Sequence, residues 1–142
     1  MNININISDK QLKEVINKLT SLKNKISDEV NMEIAAAAED IVTLAKQKAP
    51  EFIAPQIYSK KIDYLNYAIR SDFIYSAYFE FGTGDFFKRY RSELTPEWII
   101  IASKFYVNGL GRLDKRPYLY PSFNEVRPKL FKRIIDLFKE IK

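Results

Sequence analysis

A chain of 142 residues is the length of one ordinary domain, and its 46% hydrophobic and 29% charged residues are the composition of a folded protein. It contains no cysteine and no histidine. Disulfide frameworks, thiolate and imidazole metal sites, thiol nucleophiles and serine–histidine triads are therefore excluded, which leaves carboxylates, lysines, tyrosines and hydroxyls for any chemistry. The net charge of +5 comes from 23 basic and 18 acidic residues that are interspersed along the chain, the pattern of a solvated surface.

No apolar run approaches the roughly 18–20 residues that a membrane-spanning helix needs. The start of the chain, Met1 to Ile7, alternates polar and apolar residues and lacks the basic start and small-residue cleavage site of a signal peptide. The expectation is a protein made and used in a cytoplasm, with no membrane partner.

The same alternation has period two and places Ile3, Ile5 and Ile7 on one face of a short strand. Ser8 with Gln11 fits a capping box, and apolar residues then recur in steps of three and four from Leu12 to Ala45. The spacing predicts a helix over 8–48, ended by Pro50, with a break at Ser27-Asp28 because both favour caps over helix interiors. Unbroken, it would be about 60 Å long at 1.5 Å per residue, longer than a compact domain of this size is wide. Its apolar stripe then calls for a second surface to cover it, from this chain or, where the chain cannot, from another subunit.

Ile57 to Tyr64 and Tyr67 to Phe73 are rich in β-branched and aromatic residues and read as strands with Asn66 at the turn; the segment 74–81 is a third strand or a short helix. Gly82-Thr83-Gly84 allows a sharp reversal. The stretches 88–92 and 109–116 are basic, contain turn residues and read as exposed loops, so 85–115 as a whole is loop or uncertain element. Within it Thr95-Pro96-Glu97 has the form of a helix start, while Trp98 to Ala102 suits a helix or a buried strand; Asn108-Gly109 ends it. Ser122 and Glu125 form a second capping box, opening a C-terminal helix over 122–141 that Pro128 kinks. The chain reads as one domain over 1–142 of α+β class, two helices packed on a small, mostly antiparallel sheet.

Neither Gly82-Thr83-Gly84 nor Gly109-Leu110-Gly111 continues into a nucleotide loop, and both are structural turns. Glu80, among Tyr78, Phe79 and Phe81, is a carboxylate that would be expensive to bury alone. It is open to three readings: a structural or interface partner, an outward-facing strand residue, or a general acid–base group. The clusters Phe86-Phe87-Lys88-Arg89-Tyr90-Arg91 and Lys115 to Tyr120 (with Arg116) admit three readings as well. They fit a protein interface, loops anchored by their rings, or a single-strand nucleic-acid binder, with direct nucleic-acid binding the least favoured.

Three pieces in this order carry a resemblance: Lys48-Ala49-Pro50, then Tyr75-Ser76-Ala77-Tyr78-Phe79-Glu80-Phe81-Gly82-Thr83-Gly84, then Arg116-Pro117-Tyr118-Leu119-Tyr120-Pro121-Ser122. Together they resemble the tail-component family of tailed bacteriophages typified by phage HK97 gene product 10. The resemblance implies a virion protein of phage or prophage that forms an oligomeric ring at the head–tail junction. Such a part completes the tail tube and meets tail-tube and head-closure or connector proteins, after assembly in the host bacterial cytoplasm. It implies no enzymatic activity, no cofactor and no metal. It assigns architectural roles to Pro50, Tyr75, Ala77, Tyr78, Glu80, Phe81, Gly82, Thr83, Gly84, Pro117, Tyr118, Leu119 and Pro121. The candidate interface residues are Phe86, Phe87, Arg89, Tyr90, Arg91, Arg116 and Tyr120.

Overall fold

The computed structural model describes residues 3–6, 13, 14, 16, 24–103 and 111–140. The order is β1 (Ile3–Asn6), α1 (Asn24–Lys48), a 3-10 turn (Ala54–Gln56), β2 (Ile57–Asp63), β3 (Asn66–Ser71) and α2 (Ser76–Phe81). Then come α3 (Gly84–Tyr90), a second 3-10 turn (Arg91–Glu93), α4 (Pro96–Ser103) and α5 (Leu119–Lys139). The class is α+β: long helices packed on a small antiparallel sheet.

Helix α1 buries Val30, Ile34, Ala37, Ala38, Ile41, Val42 and Ala45, the stripe that its three-and-four spacing predicts. It runs through Ser27-Asp28 without the expected break. The Asp28 carboxylate accepts the Tyr64 hydroxyl at 2.8 Å, so its hydrogen bonding is met by the hairpin instead of by capping its own backbone. The helix ends where Pro50 requires. Residues 13, 14 and 16 are helical too, whereas the Ser8–Gln11 box, Leu12, Val15, Leu19, Leu22, Asn108-Gly109 and Ile141 lie outside the described residues.

On one side α1 meets β2 and β3; on another it meets α5. Glu33 pairs with Arg133 at 2.7 Å and Lys48 with Glu125 at 3.4 Å, so α1 and α5 run antiparallel. Helix α5 contributes Leu119, Phe123, Val126, Leu130 and Ile134 to the core at helical spacing, and it carries Pro128 within it.

The sheet order is β1-β3-β2, both pairs antiparallel. The hairpin turn is Tyr64-Leu65, and Asn66 is the first residue of β3 instead of the turn residue. Leu65 takes φ 63, rare for a side chain with a Cβ. It is held there by burial of its side chain and by Asn31 of α1, whose Oδ1 accepts the Leu65 N–H at 3.0 Å.

The open choice at 74–81 falls to helix, over 76–81, and one further expectation changes: 84–93 is helical instead of loop. In α3 the rings of Phe87 and Tyr90 fall three apart on the buried face, followed by buried Leu94, so the charges at Lys88, Arg89 and Arg91 hid an amphipathic turn of helix. Residues 96–103 are helix, opened at Pro96 as the Thr-Pro-Glu pattern indicates, while 111–117 carry no regular structure.

Candidate functional site: a buried glutamate latch and an aromatic patch

The C-terminal helix starts at Leu119, three residues before the expected Ser122 box. Ser122 does not cap it; its hydroxyl donates back to the Tyr118 carbonyl at 2.5 Å. A helix start leaves backbone N–H groups without intrahelical acceptors. Here they are met from far away in the chain. Glu80 Oε2 accepts the N–H groups of Tyr118 and Leu119 at 2.7 and 2.8 Å, and Oε1 accepts that of Tyr120 at 2.7 Å. Pro121 comes next and has no N–H to satisfy. One side chain therefore serves the whole opening of α5, with its two oxygens at the positive end of the helix.

Glu80 is 0% exposed, and so is Tyr118 beside it. Burial pushes the Glu80 carboxyl up to about 7 from an ordinary 4.5, against the downward pull of the three N–H donors. Burial likewise pushes the Tyr118 phenol up, and the nearby Glu80 charge adds to it. The Tyr118 hydroxyl donates to the Ser76 carbonyl at 3.2 Å, and the Ser76 hydroxyl pairs with that of Ser71 at 2.5 Å and donates to the Phe73 carbonyl at 2.7 Å. The start of α2, the end of β3 and the start of α5 thus share one buried polar chain. Both Glu80 oxygens are engaged by backbone and closed to solvent, an arrangement that suits a clamp and not a general acid or base.

The residues after Glu80 continue the same junction. Phe81 is buried with its ring 6.3 Å from Trp98. Gly82 takes φ 78 and ψ −179, a conformation that essentially only glycine adopts. A Cβ on it would lie 3.0 Å from the Leu113 carbonyl oxygen and 3.1 Å from the Lys115 nitrogen. Thr83 donates its N–H to the Leu113 carbonyl at 2.9 Å and accepts the Leu113 N–H on its hydroxyl at 2.8 Å. Arg116 N–H donates to the Phe79 carbonyl at 2.7 Å. The segment 111–120 is therefore stitched along 79–83, and the second and third motif pieces form one physical joint. Pro50 closes α1, its carbonyl accepting the Ile53 and Ala54 N–H groups at 2.9 and 3.0 Å.

The basic-aromatic clusters divide by side chain. Phe87 and Tyr90 are turned into the core, which corrects the expectation that they offer contact surface. Tyr120 is half-buried with its ring 4.9 Å from Trp98 and 6.4 Å from Tyr90. Lys115 lies 4.2 Å from the Tyr90 ring centroid and pairs with Glu93 at 2.8 Å. Phe86 is half-buried under Arg89, while Arg89, Arg91 and Arg116 face solvent. The rings anchor and the cations remain outside, so the stacking platforms a single-strand binder needs are spent on the core.

A different surface presents the rings. Phe52 is 51% exposed, Ile74 61% and Tyr75 54%, with half-buried Phe73, Tyr78 and Phe79 among them. Phe52 stands edge-on to Phe73 and Phe79 at 5.4 and 5.2 Å, and Tyr75 lies 5.9 Å from Phe73 and 6.0 Å from Tyr78. Tyr75 and Tyr78 were legible as motif residues. Phe52 and Phe73 were not, because only the fold brings the turn after α1 beside the end of β3.

Among the described residues no group of three or more Asp or Glu side chains is placed to hold a metal ion, and no helix is long and apolar enough to cross a membrane. Compared with protein-family models, with curated proteins and with solved structures, the chain matches none of them.

Proposed function

We propose that this chain is a structural protein of the head–tail junction of a tailed bacteriophage or prophage. On this reading it assembles as an oligomeric ring that completes the tail tube and meets head-closure or connector proteins. The observation that carries the reading is the bond of Glu80 to the N–H groups of 118–120. It joins the Glu-Phe-Gly-Thr and Pro-Tyr-Leu pieces, on which the resemblance rests, into a single buried joint. Glu80, Gly82, Thr83, Tyr118 and Leu119 each have an architectural use in that joint.

The exposed aromatic patch supports the same reading, since exposed contiguous apolar surface marks sites of association. The test is genetic. A lysogen deleted for this gene and induced yields full heads and finished tails that stay separate under the electron microscope, and the gene supplied in trans rejoins them. Normal joined virions from the deletion strain would refute the proposal.

A further inference from the structure

We infer that 79–83 and 111–120 form a latch that opens as one unit, with Glu80 as its pin, while α1 and α5 stay paired. The inference rests on the proposed assembly role for its use, since a copy joining its neighbours then re-aims the start of α5 without unfolding; the opening itself rests on geometry. Among the described residues, every backbone hydrogen bond of 111–117 crosses to Phe79 or Thr83. The segment has no regular structure of its own, and Gly111, Arg112, Asp114 and Arg116 are exposed. The pair that Lys115 makes with Glu93 lies at the surface, where an ion pair contributes little.

The start of α5 hangs on the same joint. The N–H groups of Tyr118, Leu119 and Tyr120 all end on the Glu80 carboxyl, so losing that one contact frees three donors together. Pro117 and Pro121, on either side of them, have no N–H with which to make a replacement bond. Farther along, Pro128 has none to give the Asn124 carbonyl, so the helical ladder lacks a bond just past the latch. Beyond that gap the helix is fastened separately: Leu130 and Ile134 are buried, and Arg133 pairs with Glu33 of α1. Opening the latch uncovers few large side chains, Tyr118 and Leu119 foremost, whereas unfolding uncovers the whole buried stripe of α1. The first therefore costs less than the second, the condition under which part of a fold opens by itself.

The test is native-state amide hydrogen exchange of the full chain, read residue by residue by NMR in low urea. The N–H groups of Leu113, Arg116, Tyr118, Leu119 and Tyr120 share one protection, below that of Ile34 to Ile41 in α1 and with a shallower dependence on urea. Glu80→Ala speeds all five by a common factor of about fivefold to a hundredfold, including Leu113 and Arg116, whose N–H groups bond to Thr83 and Phe79 instead. Thr83→Val removes the acceptor of the Leu113 N–H at the other end and speeds 118–120 likewise, which reads the coupling even where Glu80→Ala does not fold. Leu130→Ala separates local from global opening: exchange in α1 rises by about thirtyfold or more, while the five latch amides stay within about threefold of the wild type. Latch amides that speed up together with α1 in Leu130→Ala, or that share its urea dependence, overturn the inference. So does a Glu80→Ala protein in which Leu113 and Arg116 keep their wild-type exchange. These readouts do not involve the virion, so their failure leaves the head–tail proposal to the deletion strain.

Discussion

Glu80 is the residue on which most of the joint depends, and its environment allows its behaviour to be stated in advance. Glu80→Ala leaves the three backbone N–H groups of 118–120 without their acceptor and is expected to cost about 1–3 kcal/mol of stability, read as a lower urea midpoint with unchanged slope. Glu80→Gln, neutral at every pH, is the variant that does not titrate. The pH dependence follows from the raised carboxyl. The folded state holds the Glu80 proton up to about 7, while the unfolded chain releases it near 4.5. The stability it contributes is therefore complete below about 4.5 and is lost as pH rises through about 7, on the order of 3 kcal/mol in all. Urea titrations over this range should show the wild type losing its margin over Glu80→Gln as pH rises; a margin that grows with pH would contradict the assignment. Gly82→Ala forces a Cβ into a glycine-only conformation against the backbone of 113–115, and is expected to destabilise by about 1–3 kcal/mol in thermal melts.

At the scale of elements, the legible features were those whose signal lies within a few turns of chain. The apolar stripes of α1 and α5 repeat every three or four residues, and the β2–β3 segments are dense in β-branched and aromatic types; each formed as its pattern indicates. The start of α5 was misplaced because Ser122 and Glu125 look like a local capping box, while the real cap comes from a glutamate 38 to 40 residues away. A hint was present: a carboxylate flanked by Phe79 and Phe81 must be met by donors if it is buried. The sequence could not say which donors. Helix α3 was hidden for a different reason, since three cations in and beside a seven-residue element mask a two-ring apolar face. If α1 and α5 owe their pairing to the shared apolar face, Leu130→Ala, at a side chain 1% exposed, costs about 2–5 kcal/mol in denaturant unfolding. A loss below 1 kcal/mol would mean that the helices are held by something else.

The whole molecule combines a closed interior with an open surface. Its buried polar groups are joined into one chain at the α2–α5 junction, yet it leaves Phe52, Ile74 and Tyr75 half or more in water. Rings clustered edge to edge on the surface are what a component offers to a neighbour. None of this patch was readable from spacing, because its members come from the turn after α1, the end of β3 and α2. The account stands on the chain being built into the particle, and the most direct measurement is its location there. Purified virions labelled with an antibody to this chain should show it in several copies per particle, at the neck between head and tail. Purified virions that lack the chain altogether would contradict the account.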